Sequence, residues 1–165
     1  MNVQFIATIY GTKRSGIMHA LAEKTHQLDG LWLNSKVNQM GGQFIALIKI
    51  DIPKENVDEL KRFFSSQQGC TSVFNEVVQL SEGTKLMNLT FESKDRYGLV
   101  QDISNVLQQK YIDIDKMDAN RVAVADLGQS MFSASFDLHV PVDCDLEALK
   151  HCLNQVDEHA IIHLH

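Results

Sequence analysis

The chain is poor in the residues that staple or loosen a fold. Its three cysteines, Cys70, Cys144 and Cys152, are odd in number and share no C-x-x-C spacing, so neither a disulfide framework nor a thiolate zinc site is written here. Two prolines and nine glycines in 165 residues exclude collagen-like and low-complexity readings. The apolar run Phe44–Ile48 falls far short of the ~20 residues a spanning helix needs, and Met1-Asn2-Val3-Gln4 lacks a basic segment with an apolar one behind it. No membrane association is expected, and the cytoplasm is the expected address. Positive charge is scarce, with 15 Lys and Arg against 21 Asp and Glu and a net charge of −6. Phosphate backbones are held by clustered positive charge, so direct nucleic-acid binding is not expected. There is no G-x-S-x-G elbow, P-loop or G-x-G-x-x-G, and no base lies closer to Cys70 in sequence than Arg62. A non-enzymatic protein without cofactor is the expectation.

What remains is ordinary globular chemistry, with 44% hydrophobic and 22% charged residues. It is written twice. In the first copy Val3, Phe5, Ala7 and Ile9 alternate with outward residues, Gly11 to Gly16 break the pattern, and Met18, Leu21, Ala22, Thr25 and Leu28 recur at helical spacing. In the second, Met87, Leu89 and Phe91 form the strand stripe, Glu92 to Gly98 the turn, and Leu99, Val100, Ile103, Val106 and Leu107 the helix stripe. Arg14 matches Arg96, and Gly16 matches Gly98.

The second halves repeat as well. Phe44, Ala46, Ile48, Ile50 and Ile52 before Pro53 parallel Phe132, Ala134, Phe136, Leu138 and Val140 before Pro141, and alternation of period two makes both strands. A helix follows each proline, with Val57, Leu60 and Phe63 or Phe64 on one face of the first and Leu146, Leu149 and Leu153 on the second. Asn56 with Glu59 has capping-box spacing, and Asp143 is placed to cap the other helix. Leu31–Val37, Thr71–Val77, Ile112–Met117 and His159–Leu164 supply the remaining strands. The expected fold class is α+β, two tandem ferredoxin-like βαββαβ domains, 1–82 and 83–165, with a boundary at Leu80-Ser81-Glu82-Gly83-Thr84.

Alternation also sorts the sheet faces. Opposite the helices, the first copy carries Ile6, Ile45 and Leu47 beside Gln43 and Lys49, whereas the second carries Met131, Ser133, Ser135, Asp137 and His139. An apolar outer face calls for a cover, either the other copy or a second chain in a homo-oligomer. His163 and His165 share one face of the last strand, but only Asp157 and Glu158 stand near at ligand spacing. A solvated segment is the better reading than a metal site.

Asp95-Arg96-Tyr97-Gly98-Leu99-Val100 resembles the Asp-Arg-x-Gly-Leu-Val turn of the ACT domain family, small-molecule regulatory modules of βαββαβ layout. Lys13-Arg14-Ser15-Gly16-Ile17-Met18 keeps Arg and Gly but has Lys in place of Asp. In both copies the Pro common between Arg and Gly is replaced, by Ser15 and Tyr97. A chain of only two such domains, the second with a longer hairpin, resembles the glycine cleavage system transcriptional repressor family. That resemblance implies a regulator of transcription that senses a small amino acid, glycine first, and acts through a LysR-type transcription factor without touching DNA itself. The alternative is a regulatory subunit of a metabolic enzyme with the same ligand site.

The residues suggest how a ligand would be held. A helix N-terminus offers unpaired N–H groups and a positive dipole end to a carboxylate, and Gly lets it approach. The site residues expected on this basis are Arg14, Gly16 and Ile17 in the first turn and Asp95, Arg96, Gly98 and Leu99 in the second. A ligand-free reading stands beside it, in which Gly serves only the turn and Asp95 only caps the helix. Two other uses of the fold fit less well. The acylphosphatase loop needs an aromatic-Arg pair that does not follow Gly16, and RNA-recognition modules expose sheet aromatics, whereas Phe132 and Phe136 belong to the helix-covered face.

Overall fold

Period-two alternation in the long central segments produces two four-stranded antiparallel sheets. The computed structural model describes residues 1–78, 83–124 and 128–165. The chain divides into two compact units, Met1–Gln79 and Leu80–His165; of the expected boundary segment, residues 80–82 lie outside the described residues. Unit 1 runs β1 (Asn2–Thr12), α1 (Ile17–Gln27), β2 (Leu31–Met40), β3 (Gln43–Pro53), α2 (Val57–Ser65) and β4 (Cys70–Glu76), with sheet order β2-β3-β1-β4. Unit 2 repeats it as β5 (Thr84–Lys94), α3 (Leu99–Gln109), β6 (Asp113–Val124), β7 (Gln129–Pro141), α4 (Leu146–Val156) and β8 (Ile161–Leu164), with order β6-β7-β5-β8. The fold is α+β, two tandem ferredoxin-like βαββαβ units. Among the described residues no helix is long and apolar enough to cross a membrane.

Each core lies between one sheet face and its two helices. In unit 1, Ile48 and Ile50 of β3 meet Leu21 of α1 and Leu60 and Phe64 of α2, all fully buried. In unit 2 the same layer is Phe136 and Leu138 with Ile103 and Leu149. Each such side chain contributes roughly 1.5–3 kcal/mol by leaving water. Thr25, 1% exposed, turns its hydroxyl to Leu21 O at 2.7 Å and accepts from Trp32 Nε1 at 3.1 Å, so the only tryptophan is tied to the end of α1. Lys24 Nζ reaches Glu59 Oε1 at 2.6 Å, joining α1 to α2, and that hydrogen bond holds the Glu59 carboxyl below its usual range.

Several local expectations are corrected. β1 and β5 run through Gly11–Thr12 and Ser93–Lys94, which the broken alternation assigned to turns. Gly11 belongs to the ladder because β4 crowds it: a Cβ there would stand 2.1 Å from Gly69 O. Asn56 does not form a capping box. A 3-10 turn at Lys54–Asn56 leads into α2, so Asn56 is already near-helical (φ −96°, ψ −7°), and its amide donates to Leu28 O instead. Asp145 rather than Asp143 caps α4, because its extended backbone lets the carboxylate accept from Glu147 N and Ala148 N. β8 starts at Ile161, since the Asp157 carboxylate accepts from His159 N and holds that stretch in a turn.

The outer sheet faces differ as expected. Ile45 and Leu47 are 44% and 43% exposed beside Tyr10 and Val73, while unit 2 carries the pairs Asn88–Asp137, Ser133–Glu92 and Lys116–Asp118 there. The edge strands β2 and β6 each bear a register shift near their start, at Trp32/Asn34 and Ile114/Lys116. Gly11→Ala is expected to destabilise unit 1 by about 1–3 kcal/mol through the clash with β4. The check is a lower urea midpoint in Trp32 fluorescence, and an unchanged midpoint would contradict the close approach.

Candidate functional site

The turns after β1 and β5 are built around a left-handed residue. Gly16 (φ +80°, ψ −2°) and Gly98 (φ +83°, ψ −2°) precede α1 and α3, a conformation that side chains resist. Neither helix end has a side-chain cap. Because Gly16 O and Gly98 O accept the first helical bonds, from Ala20 N and Asp102 N, the amides of residues 17–19 and 99–101 have no acceptor within their helices. The capped end of α4 shows the alternative arrangement.

In unit 1 the turn opens on a cavity of about 220 Å³. Lys13 to His19 form one side, and Val37, Gln39 and Phe44 from the β2–β3 hairpin form the other. Lys13 N donates to Gly42 O at 2.8 Å, which ties the turn to the hairpin. Phe44 and Ile17 are buried, whereas Lys13, Arg14 and Gly16 are exposed. Neither the Lys13 nor the Arg14 side chain has a hydrogen-bond or ion-pair partner among the described residues. The space is below the usual size of a drug pocket and suits a small metabolite.

In unit 2 the corresponding residues turn inward to protein partners and away from one another. Asp95 Oδ1 accepts from Arg121 Nε at 2.9 Å and Oδ2 from Ser130 Oγ at 3.4 Å, while Arg121 lies 5.6 Å over the Phe132 ring. Asp95 therefore does not cap α3: its backbone N–H donates to Ser130 O, and its carboxylate follows that strand. Arg96 donates to Tyr97 O at 3.0 Å, to Asp102 Oδ2 at 2.7 Å and to Val156 O at 3.0 Å, clamping the turn to α3 and to the end of α4. A second cavity of about 550 Å³ opens beside Arg96, but Asp157 and Glu158 line it.

No family model matches the chain, and no curated protein matches it in sequence. Solved structures do match over the full length. A protein described only as unknown, from Galdieria sulphuraria, has a TM-score of 0.89 at 18% identity, over 99% of this chain and 98% of that one. A protein described provisionally as a glycine cleavage system transcriptional repressor has a TM-score of 0.68 at 17% identity, over 100% of this chain and 98% of that one. The chain shares its tandem ferredoxin-like fold with both proteins. At these identities the likeness carries the fold.

Within this pair of units, Arg14, Gly16 and Ile17 share one cavity, while Asp95 and Arg96 diverge around Gly98 and the buried Leu99. Val37, Gln39 and Phe44, which line that cavity, were not among the residues expected at the turn. The adjacent Gly41-Gly42 was the available signal: both have positive φ in a two-residue hairpin that brings Gln39 opposite Phe44. His163 and His165 stack at 6.0 Å, and no cluster of three metal-ligating side chains occurs among the described residues. Arg96→Met is expected to destabilise the end of α3 by about 1 kcal/mol, as a half-exposed ion pair allows, and Arg14→Met to change α1 by less than about 0.5 kcal/mol. Native-state hydrogen exchange of α1 and α3 amides reads both, and equal effects would contradict the difference in partners.

Proposed function

We propose that the chain is a non-enzymatic regulator that binds a small α-amino acid at the unit 1 turn and acts on transcription through a protein partner. The observation that carries this reading is the cavity of about 220 Å³, where two cations without counter-ions among the described residues meet an uncapped helix end. A ligand carboxylate is matched by Lys13, Arg14 and the amides of residues 17–19. Its ammonium is served by the Gln39 side-chain oxygen and by turn carbonyls. The small volume favours glycine and other short side chains, in keeping with the full-length fold likeness to the protein described as a glycine cleavage repressor.

A protein partner is favoured over DNA by charge. Lys24 is engaged by Glu59, Lys61 lies over the Phe5 and Phe74 rings, and Asp58 and Glu59 flank them, so these helices present no continuous positive face. The exposed apolar face around Ile45 and Leu47 suits a protein surface. By the family resemblance the partner is a LysR-type activator.

Thermal shift of the full chain against the common amino acids tests the ligand, since a ligand at 100 times its Kd adds about 2.7 kcal/mol. Glycine or a close analogue should raise the midpoint, and no response to any amino acid would overturn the reading. Mobility shift tests the partner. Retardation of duplex by this chain alone would contradict it, whereas a shift requiring the activator and varying with glycine is expected. Gly16→Val is expected to cost about 1–2 kcal/mol of unit 1 stability through its positive φ and to weaken glycine binding at least about tenfold. Calorimetry on the folded variant checks this.

A further inference from the structure

We propose that the two turns are unequal by construction: unit 1 is open to a carboxylate, and unit 2 is closed by its own ion pairs, so each chain takes a single ligand. This rests on the amino-acid reading above and says which copy performs it.

The two turns correspond residue by residue. Lys13 and Asp95 stand three residues before the left-handed glycines, and Ala20 and Asp102 four after them. Gln39 pairs with Phe44 across β2 and β3 as Arg121 pairs with Phe132 across β6 and β7. At each place unit 2 supplies a counter-ion that unit 1 lacks. Arg121 neutralises Asp95 and lies over Phe132, where unit 1 has Gln39 beside Phe44 and the cavity. Asp102 neutralises Arg96, where unit 1 has Ala20 below Arg14.

The electrostatic consequence is direct. A carboxylate entering unit 1 meets Lys13 and Arg14, which hold no protein counter-ion among the described residues. At unit 2 it must compete with the Asp95 and Asp102 carboxylates for arginines that they already hold in charge-assisted bonds of 2.9 and 2.7 Å. Competition of this kind is how a site excludes a ligand that its backbone would accept. The backbone is indeed equivalent, with the same φ and ψ at the glycine and the same uncapped amides.

Exchange of these residues tests the inference. The full chain, labelled with 15N, is titrated with sodium acetate as a bare carboxylate at constant ionic strength, and with glycine by calorimetry. The variants are the closing pair Lys13→Asp with Gln39→Arg and the opening pair Asp95→Lys with Arg121→Gln. Acetate should shift the amides of residues 17–19 saturably and leave those of residues 99–101 in place, and glycine should bind as a single equivalent. The closing pair should weaken both at least about tenfold, whereas the opening pair should bring residues 99–101 into response. Saturable shifts at both wild-type turns, at neither, or undiminished binding in the closing pair would overturn the inequality. An acetate response confined to unit 1 without binding of any amino acid would overturn the sensor reading and leave the inequality standing. Two equivalents of glycine would do the reverse. If the opening pair loses its dispersed spectrum, the closing pair, whose replaced residues are exposed, decides.

Discussion

A left-handed residue at the point where the first strand of each unit gives way to its helix governs much of the architecture. Gly16 and Gly98 adopt φ near +80°, which turns the chain back over the sheet and starts the helix without a side chain that could cap it. The strand must therefore stop about four residues earlier, the helix stripe is phased onto the core from Ile17 or Leu99, and the free amides stand at the sheet's end. Core packing and the exposure of these amides thus share one backbone requirement. A side chain at either glycine would strain the turn and displace the helix that it starts.

On that common frame the copies have diverged in charge rather than in shape. Unit 2 spends its turn residues on internal bonds, which draw β5, β6, β7, α3 and α4 together around Asp95 and Arg96. Unit 1 ties its turn with a backbone bond, Lys13 N to Gly42 O, and among the described residues the Lys13 and Arg14 side chains have no hydrogen-bond or ion-pair partner. The middles of the outer sheet faces differ too, with Ile45 and Leu47 in unit 1 where unit 2 has Ser133 and Ser135. The two copies thus keep one backbone while only the turn of unit 2 is closed by side-chain ion pairs.

Much of the layout was legible because alternation is a long-range signal summed over many residues. Phe44 to Ile52 and Phe132 to Val140 identify the central strands, and the repeat makes each copy a check on the other. Gly11 was misread because its reason for being glycine is Gly69, far along the chain. Asn56 was misread because a 3-10 turn altered its backbone before the cap could form. The site was half legible. Matching Arg14 to Arg96 treated them as equals, while the difference lay in their surroundings: Ala20 against Asp102 four residues on, and Gln39 against Arg121, brought close only by strand register.

The bulges in β2 and β6 bear on how such a chain behaves in crowded solution. Both are long strands at a sheet edge, ten and twelve residues with mostly exposed side chains, and such edges invite another chain to add itself as the next rung. The register shifts after Trp32 and Ile114 break the regular row of N–H and C=O groups near one end and twist the backbone locally. Neither edge is a full-length template for fibril growth, and that protection resides in the main chain, where surface substitutions leave it intact.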